Sequence, residues 1–221
     1  PRAKVAFLPN LHRNKQLVPL EKIETFAKRS GVVFVGNFDH NPNVTSVLFL
    51  KHEVAPLLKK PVKFTLVGSN PPYIVRTMAK HGEHAGLFKV TGYVPDTFPY
   101  LNRAKISIAP ILFGAGMNGK IGEAMAAGVP VITTSLGALG MGLTHEENCL
   151  VAEGPQEFAD AIDRLHQDEA LWKKLQVNAR SFLEENLASE GMEEQICQSV
   201  LGDLDLVRIR GSQDAAWLKK V

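Results

Sequence analysis

The sequence predicts an α/β fold built on a doubly wound parallel sheet. Three observations carry that expectation. Short runs rich in β-branched and aromatic residues alternate with helix-like stretches. Four of these runs are apolar almost throughout, as in strands buried on both faces, rather than alternating apolar and polar. Several end in Gly or Pro, at Val35-Gly36, Val67-Gly68, Thr91-Gly92 and Ala109-Pro110. Such punctuation suits a chain turning at the carboxyl edge of the sheet, where open parallel sheets bind their ligands.

The elements follow in order. Pro1–Pro19 reads as an incoming crossing, with a short strand at Ala3–Leu8, inside a linker over residues 1–30. The expected strands are Val32–Val35, Val62–Val67, Leu87–Val90, Ile106–Ala109, Val129–Thr133 and Cys149–Ala152. Between them lie helical stretches at Asn43–Leu58, Pro71–Lys80, Asp96–Arg103, Asn118–Ala127 and, shorter, Gly137–Glu146. Asn43 is placed to cap the first of these, and Gly128 with Pro130 stops the fourth. Pro155 then opens a helix at a favoured first-turn position. Phe158, Ala161, Ile162 and Leu165 recur at helical spacing, as do Leu171, Leu175, Ala179 and Phe182. These read as covering helices, closing a domain over residues 31–186. One more helix, Glu190–Leu201, and a tail make up residues 187–221.

Bulk properties exclude several function classes. The 221 residues suit one large domain with extensions, and 45% hydrophobic with 22% charged residues is ordinary for a globular chain. A net charge of +2, with Lys and Arg dispersed, gives no nucleic-acid footprint. No apolar run approaches membrane-spanning length. The two cysteines, Cys149 and Cys197, have no C-x-x-C spacing and point to a reducing, cytoplasmic setting. His81 and His84, three apart, lack a third ligand at suitable spacing, so no metal site is expected.

The stretch Gly114-Ala115-Gly116-Met117-Asn118-Gly119-Lys120-Ile121-Gly122-Glu123 is the chemically richest. It is not a P-loop, because Ile121 stands where a magnesium-binding Ser or Thr is needed. Nor is it a dinucleotide fingerprint. It follows the fourth strand rather than the first, and no carboxylate closes the next strand. What remains is physical. The glycines let a ligand approach the backbone, and the helix that starts there favours an anion at its first turn. Lys120 adds a cation, and Glu123, one turn on, offers a carboxylate suited to a sugar diol. A phosphate-linked ribose or a nucleotide-sugar is the implied ligand.

The same residues, continued through Ala124-Met125-Ala126-Ala127-Gly128-Val129-Pro130-Val131-Ile132, resemble the donor-site motif of retaining GT-B glycosyltransferases of the family 4 type. Phe34–Asn43, Phe64–Ser69 and Val90–Asp96 are similar to that family's first strand and loop, second strand and base-binding loop. The resemblance runs from about Val32 to about Phe182. It implies a Rossmann-like sheet forming the C-terminal, donor-binding half of the enzyme, with an N-terminal acceptor-binding half preceding this chain. It implies a metal-independent, cofactor-free transfer from a nucleoside-diphosphate sugar, UDP- or GDP-linked. Any attachment to a membrane would come through the preceding part.

By that resemblance Glu123 holds the ribose and Lys120 stabilises the departing diphosphate. Gly114, Gly116, Met117 and Asn118 offer backbone amides to the phosphates or sugar, and Val94 meets the base through its backbone. Gly36 and Asn37 border the phosphates, with Ser69 beside them, and the region Gly137–Gly142 lies near the donor sugar. Two departures stand out. The first glutamate of the family's E-x7-E pattern is Ala115 here, and the basic residues that often follow the first strand are replaced by Gly36-Asn37-Phe38-Asp39-His40. His40 is an additional candidate in place of that cation. Two further readings stay open at this level: a non-catalytic nucleotide or sugar-phosphate binding module, and a GT-B-like epimerase or phosphorylase.

Overall fold

Six parallel strands form one sheet in a computed structural model that describes residues 18–114 and 118–186. The strands are β1 (Val32–Val35), β2 (Phe64–Val67), β3 (Phe88–Gly92), β4 (Ile106–Ala109), β5 (Val131–Thr133) and β6 (Leu150–Val151). Their spatial order is β3-β2-β1-β4-β5-β6, so the chain reverses its direction of travel across the sheet between β1 and β4. Helices α1 (Asn41–Phe49), α2 (Tyr73–Met78), α3 (Phe98–Arg103), α4 (Gly119–Ala126) and α5 (Ser135–Met141) make the crossovers, and α6 (Pro155–Gln167) and α7 (Glu169–Asn186) complete the cover.

The apolar runs fall in strands because both sheet faces are covered. Val32, Phe34, Ile106, Ile108 and Ile132 point into one core, with Phe158, Leu165 and Trp172. Val33, Ala109 and Val131 point into the other, with Ile121, Met125 and Leu101. Alternate residues of one strand therefore feed opposite cores, and neither face tolerates a charge. Helix α7 serves both: Trp172 and Leu175 belong to the first core, Ala179 and Leu183 to the second.

Element boundaries differ from expectation for local reasons. Asn43 does not cap α1. Pro42 occupies the first turn, the helix starts at Asn41, and His40 is the N-cap residue. The helical stretch continues through a π turn at Leu50–Val54 and a 3-10 turn at Ala55–Leu57. Helix α5 begins earlier than expected because Thr134 caps it, its side chain accepting from the Gly137 amide at 3.3 Å. It stops at Gly142, which takes the left-handed φ of +70°. His81 and His84 share no helix, since His84 has φ +58° at the head of a short 3-10 turn. The expected strand at Ala3–Leu8, the expected helix at Glu190–Leu201 and Cys197 lie outside the described residues. Among the described residues no helix is long and apolar enough to cross a membrane.

The segment leading into β1 is held by a residue that sequence patterning did not single out. Arg29 is 2% exposed. Its Nε donates to Glu24 O at 2.8 Å. One terminal nitrogen donates to Leu101 O and Ala104 O, both at 3.1 Å. The other donates to Asn102 Oδ1 at 3.1 Å and Ala127 O at 3.2 Å. All five N–H groups are thus used, and the carbonyls at the ends of α3 and α4 are satisfied together. The guanidinium also lies 5.4 Å from the centre of the Trp172 ring. Burial lowers its pKa to about 10, with Glu24 opposing that shift, so it remains a cation at neutral pH.

Replacing Arg29 by Met should strand the buried carbonyls of Ala104 and Ala127 and lower the unfolding free energy by about 3 kcal/mol. Arg29→Lys, with fewer donors and no planar fork, should recover only part of it. Urea denaturation followed by circular dichroism measures both.

Candidate functional site

The topology opens a crevice at one place. β1 pairs with β2 along its whole length, Val32 to Val35, but with β4 only at Val32 and Val33. Beyond Val33 the two strands part, as expected where successive crossovers leave to opposite faces. A cavity of about 330 Å³ lies there. Its wall on the β1, β2 and β3 side is Val35, Gly36, Asn37, Val67, Gly68, Ser69, Tyr93 and Val94. Asn43 of α1, Thr97 at the N-cap of α3, and Lys120 and Glu123 of α4 complete it.

Backbone hydrogen bonds carry the loops beyond the strands. Gly36 N donates to Val67 O at 2.9 Å, Phe38 N to Ser69 O at 3.0 Å, and Gly68 N to Gly92 O at 3.1 Å. The packing is tight enough to demand glycine at Gly68, where a β-carbon would sit 1.7 Å from Gly36 O. Gly92 is required for its conformation instead, with φ +76° and open space around it. The Asn37 side chain then organises the rim. Its Oδ1 accepts from Asp39 N at 3.0 Å and from Ser69 Oγ at 3.1 Å. Asn70, with φ +53°, donates from Nδ2 to Asp39 Oδ2 at 2.6 Å.

Lys120 and Glu123 sit one helical turn apart on α4, and their environments differ. The Lys120 ammonium donates to Asn43 Oδ1 and lies 4.6 Å from the centre of the Phe34 ring. Burial lowers its pKa to about 8, against the opposing pull of Glu123. Glu123 is exposed, and its Oε2 accepts from Thr97 Oγ1 at 3.4 Å. A cation at the back of the crevice and an accessible carboxylate at its mouth can divide a ligand between an anionic part and a hydroxyl-bearing part.

Of the residues singled out from sequence, Gly36, Asn37, Ser69, Val94, Lys120 and Glu123 come together around this one cavity. Gly114, with φ +100°, and Asn118, the N-cap residue of α4, do not line it, and neither do residues 137–142. His40 is exposed at the start of α1 and also stands apart from it. Ala115, Gly116 and Met117 lie outside the described residues. Sequence reasoning missed Asn43, Thr97 and Tyr93. The sequence reads Asn43 as a cap, but with α1 starting at Asn41 it lies in the helix's first turn and its amide meets Lys120. Thr97 is the central residue of the Asx turn in which Phe98 N donates to Asp96 Oδ1 at 2.9 Å. Tyr93 is 75% exposed at the rim.

The hydroxyls that close β5 have a structural role. Thr133 Oγ1 donates to Ala109 O at 2.7 Å and Thr134 Oγ1 to Ile111 O at 2.8 Å, locking the ends of β5 and β4 together. Ser46 of α1, buried, sits between Pro42 O at 2.7 Å and Pro110 O at 2.6 Å and joins α1 to the loop beyond β4.

Comparison with known proteins bears on this geometry. The sequence profile of the family described as "Glycosyl transferases group 1" matches residues 29–168. The chain belongs to this family. It is 46% identical over 65 residues to YtcC of Bacillus subtilis, which carries a provisional glycosyltransferase name; that stretch is 28% of this chain and 16% of the relative. HepE of Anabaena, solved with UDP and glucose, superposes with a TM-score of 0.72 at 16% identity, over 87% of this chain and 55% of HepE. The C-terminal domain of the group 1 glycosyl transferase LpcC from Francisella tularensis matches with a TM-score of 0.59 at 20% identity. That match covers 83% of this chain and 97% of the domain. These last two likenesses are ones of fold, and the fold is the Rossmann-like C-terminal half of a GT-B glycosyltransferase. The chain spans about half or less of the full-length relatives it matches.

Two glycine substitutions should separate packing from conformation. Gly68→Ala should force the β1 and β2 loops apart and cost about 3 kcal/mol, whereas Gly92→Ala should cost about 1 kcal/mol. Thermal unfolding of the two variants checks the order.

Proposed function

We propose that this chain is the donor-binding half of a retaining glycosyltransferase that takes a sugar from a nucleoside-diphosphate sugar. The observation that carries the reading is the pairing of Lys120 and Glu123 in the crevice where β1 and β4 part. One helical turn apart on one wall, they can serve a ligand with a diphosphate at one end and a ribose diol at the other. Glu123 accepts from the ribose hydroxyls, with Thr97 holding its carboxylate. Lys120 meets the diphosphate from behind, and the backbone of Gly36 and Asn37 borders the phosphates. Val94, with Tyr93 beside it, faces the base. Gly114, Gly116, Met117 and Asn118 stay proposed as the backbone that receives the sugar end.

The reaction breaks the bond between the anomeric carbon and the diphosphate oxygen, and the electron pair leaves with the diphosphate. A new bond forms from that carbon to an acceptor hydroxyl oxygen on the same face, and that hydroxyl's proton passes to the departing diphosphate oxygen. Lys120, half-buried at the back of the crevice, and the first turn of α4 take up the charge of the leaving group. The acceptor is bound by a preceding half, facing this one across the crevice. The fold shared with HepE, which was solved with UDP and glucose, supports a nucleotide-sugar donor here.

Isothermal titration with UDP, GDP and ADP tests the reading. One of the three should bind in the micromolar to millimolar range, and a folded chain that binds none contradicts it. Glu123→Ala should weaken that nucleoside diphosphate about tenfold while leaving inorganic diphosphate within about twofold. Equal losses for both would remove Glu123 from the ribose.

The pH dependence follows from the Lys120 pKa of about 8. The protonated form receives the diphosphate, and it predominates at pH 7 but is a small fraction at pH 9. Affinity should therefore fall about tenfold from pH 7 to pH 9. Binding near pH 8 should take up protons, seen as a dependence of the titration heat on the buffer's ionisation enthalpy. The alkaline loss should disappear in Lys120→Met.

A further inference from the structure

Asn43 is the residue through which three elements meet at the back of the crevice. It belongs to the first turn of α1, half-buried. Its Nδ2 donates to Asn37 O at 2.6 Å, tying it to the loop after β1. Its Oδ1 accepts from Lys120 Nζ on α4. The seat for this amide is made by a missing side chain: a β-carbon on Gly36 would lie 2.9 Å from both Asn43 Cγ and Nδ2. That same β-carbon would lie 3.0 Å from Phe34 Cε1, the ring over which the Lys120 ammonium stands. Gly36, Phe34 and Asn43 thus shape one cradle for one cation.

Both partners of that cation are uncharged. Among the described residues no ion pair forms with Lys120, and Glu123 acts on it only through space, its Oε2 accepting instead from Thr97. A neutral acceptor differs chemically from a carboxylate at this point. It directs the ammonium but cancels none of its charge, so that charge remains available to an anion entering the crevice. Lys120 is also the only cation that lines the cavity among the described residues, so its direction matters more than in a site with several. A long, rotamer-rich side chain loses less entropy on binding if it is already held in place.

We propose that Asn43 is the positioning residue for Lys120, holding its ammonium over Phe34 and aimed at the donor diphosphate without neutralising it. The proposal rests on the donor-site reading above. It assigns to the Pro42-Asn43 turn a role in ligand binding beyond starting a helix. It also explains why a site lacking basic residues after β1 still presents an oriented cation: the first turn of α1 supplies the hydrogen-bond acceptor and α4 supplies the charge.

The test is a double-mutant cycle on the 221-residue chain. Asn43→Ala is made in the wild-type and Lys120→Met backgrounds, and each is titrated with UDP, GDP and ADP and with their nucleosides. In the wild-type background Asn43→Ala should weaken the bound nucleoside diphosphate about tenfold and its nucleoside less than about twofold. In the Lys120→Met background the same change should cost less than about twofold for either. Asn43→Asp, nearly isosteric and the safer variant for folding, should weaken the diphosphate at pH 7. It should also move the alkaline loss of binding to higher pH, because a carboxylate stabilises the ammonium. Equal losses in the two backgrounds, equal losses for nucleoside and diphosphate, or an unmoved alkaline limb in Asn43→Asp would each overturn the proposal. A wild-type chain that binds nucleotide while the Asn43 variants behave this way defeats the proposal alone. A wild-type chain that binds none of the three nucleotides defeats the donor-site reading and the proposal together.

Discussion

Hydrogen bonding between β1 and β4 ends at Val33 and Ser107, while β1 goes on pairing with β2 to Val35. Everything distinctive about the site depends on that parting. Had the two strands stayed paired to their ends, the crevice would be closed by backbone. Because the chain enters α1 on one side and α4 on the other, the strand ends separate and leave polar backbone facing a gap. The first turn of α4 then stands over the end of β1, which is how Lys120 comes to rest above Phe34.

A crevice of this kind needs rigid walls, and these come from groups far from it. Arg29 satisfies the terminal carbonyls of α3 and α4 at once, so the helices that carry Thr97 and Glu123 are tied to a common point. Trp172 backs that point and donates to Lys105 O at 2.6 Å, just before β4. Arg180 reaches Val18 O at 2.7 Å, and Val18 N in turn meets Ala126 O, so α7 and the incoming segment clasp the far end of α4. Hydrogen bonds to buried carbonyls, rather than surface ion pairs, hold this framework. The ion pairs of Glu146 and Glu147 with Arg164 and Lys174 pin one exposed loop to α6 and α7 and contribute little more.

The electrostatics of the site are sparse. One cation and one carboxylate line it among the described residues, and the remaining polar groups are amides, hydroxyls and backbone. Sparse charge gives each group a defined environment. Lys120 is driven toward neutrality by burial and steadied by Asn43, while Glu123 faces solvent. Burial therefore brings the Lys120 ammonium close to deprotonation just above neutral pH.

Much of this was legible in the sequence. The strands were readable because both faces of the sheet are covered, which makes their apolar runs continuous. Val32–Val35 and Ile106–Ala109 have the same bounds in sequence and structure. The glycine that follows β1 and the one that follows β2 marked the crevice, and Lys120 and Glu123 announced themselves by type and spacing. Local chemistry of this sort depends on neighbours within a few residues, and a sequence contains those. The role of Asn43 was not readable, because an Asn before a helical stretch looks like a cap whether or not a lysine 77 positions away reaches its amide. Arg29 was equally silent, since its partners Leu101, Ala104 and Ala127 are backbone carbonyls distant in the chain. Residue types and periodicities decided the elements and the candidate ligand groups. Which side chains share a hydrogen bond across the parted strands was decided only by the tertiary structure, because that sharing depends on the order in which strands lie in the sheet.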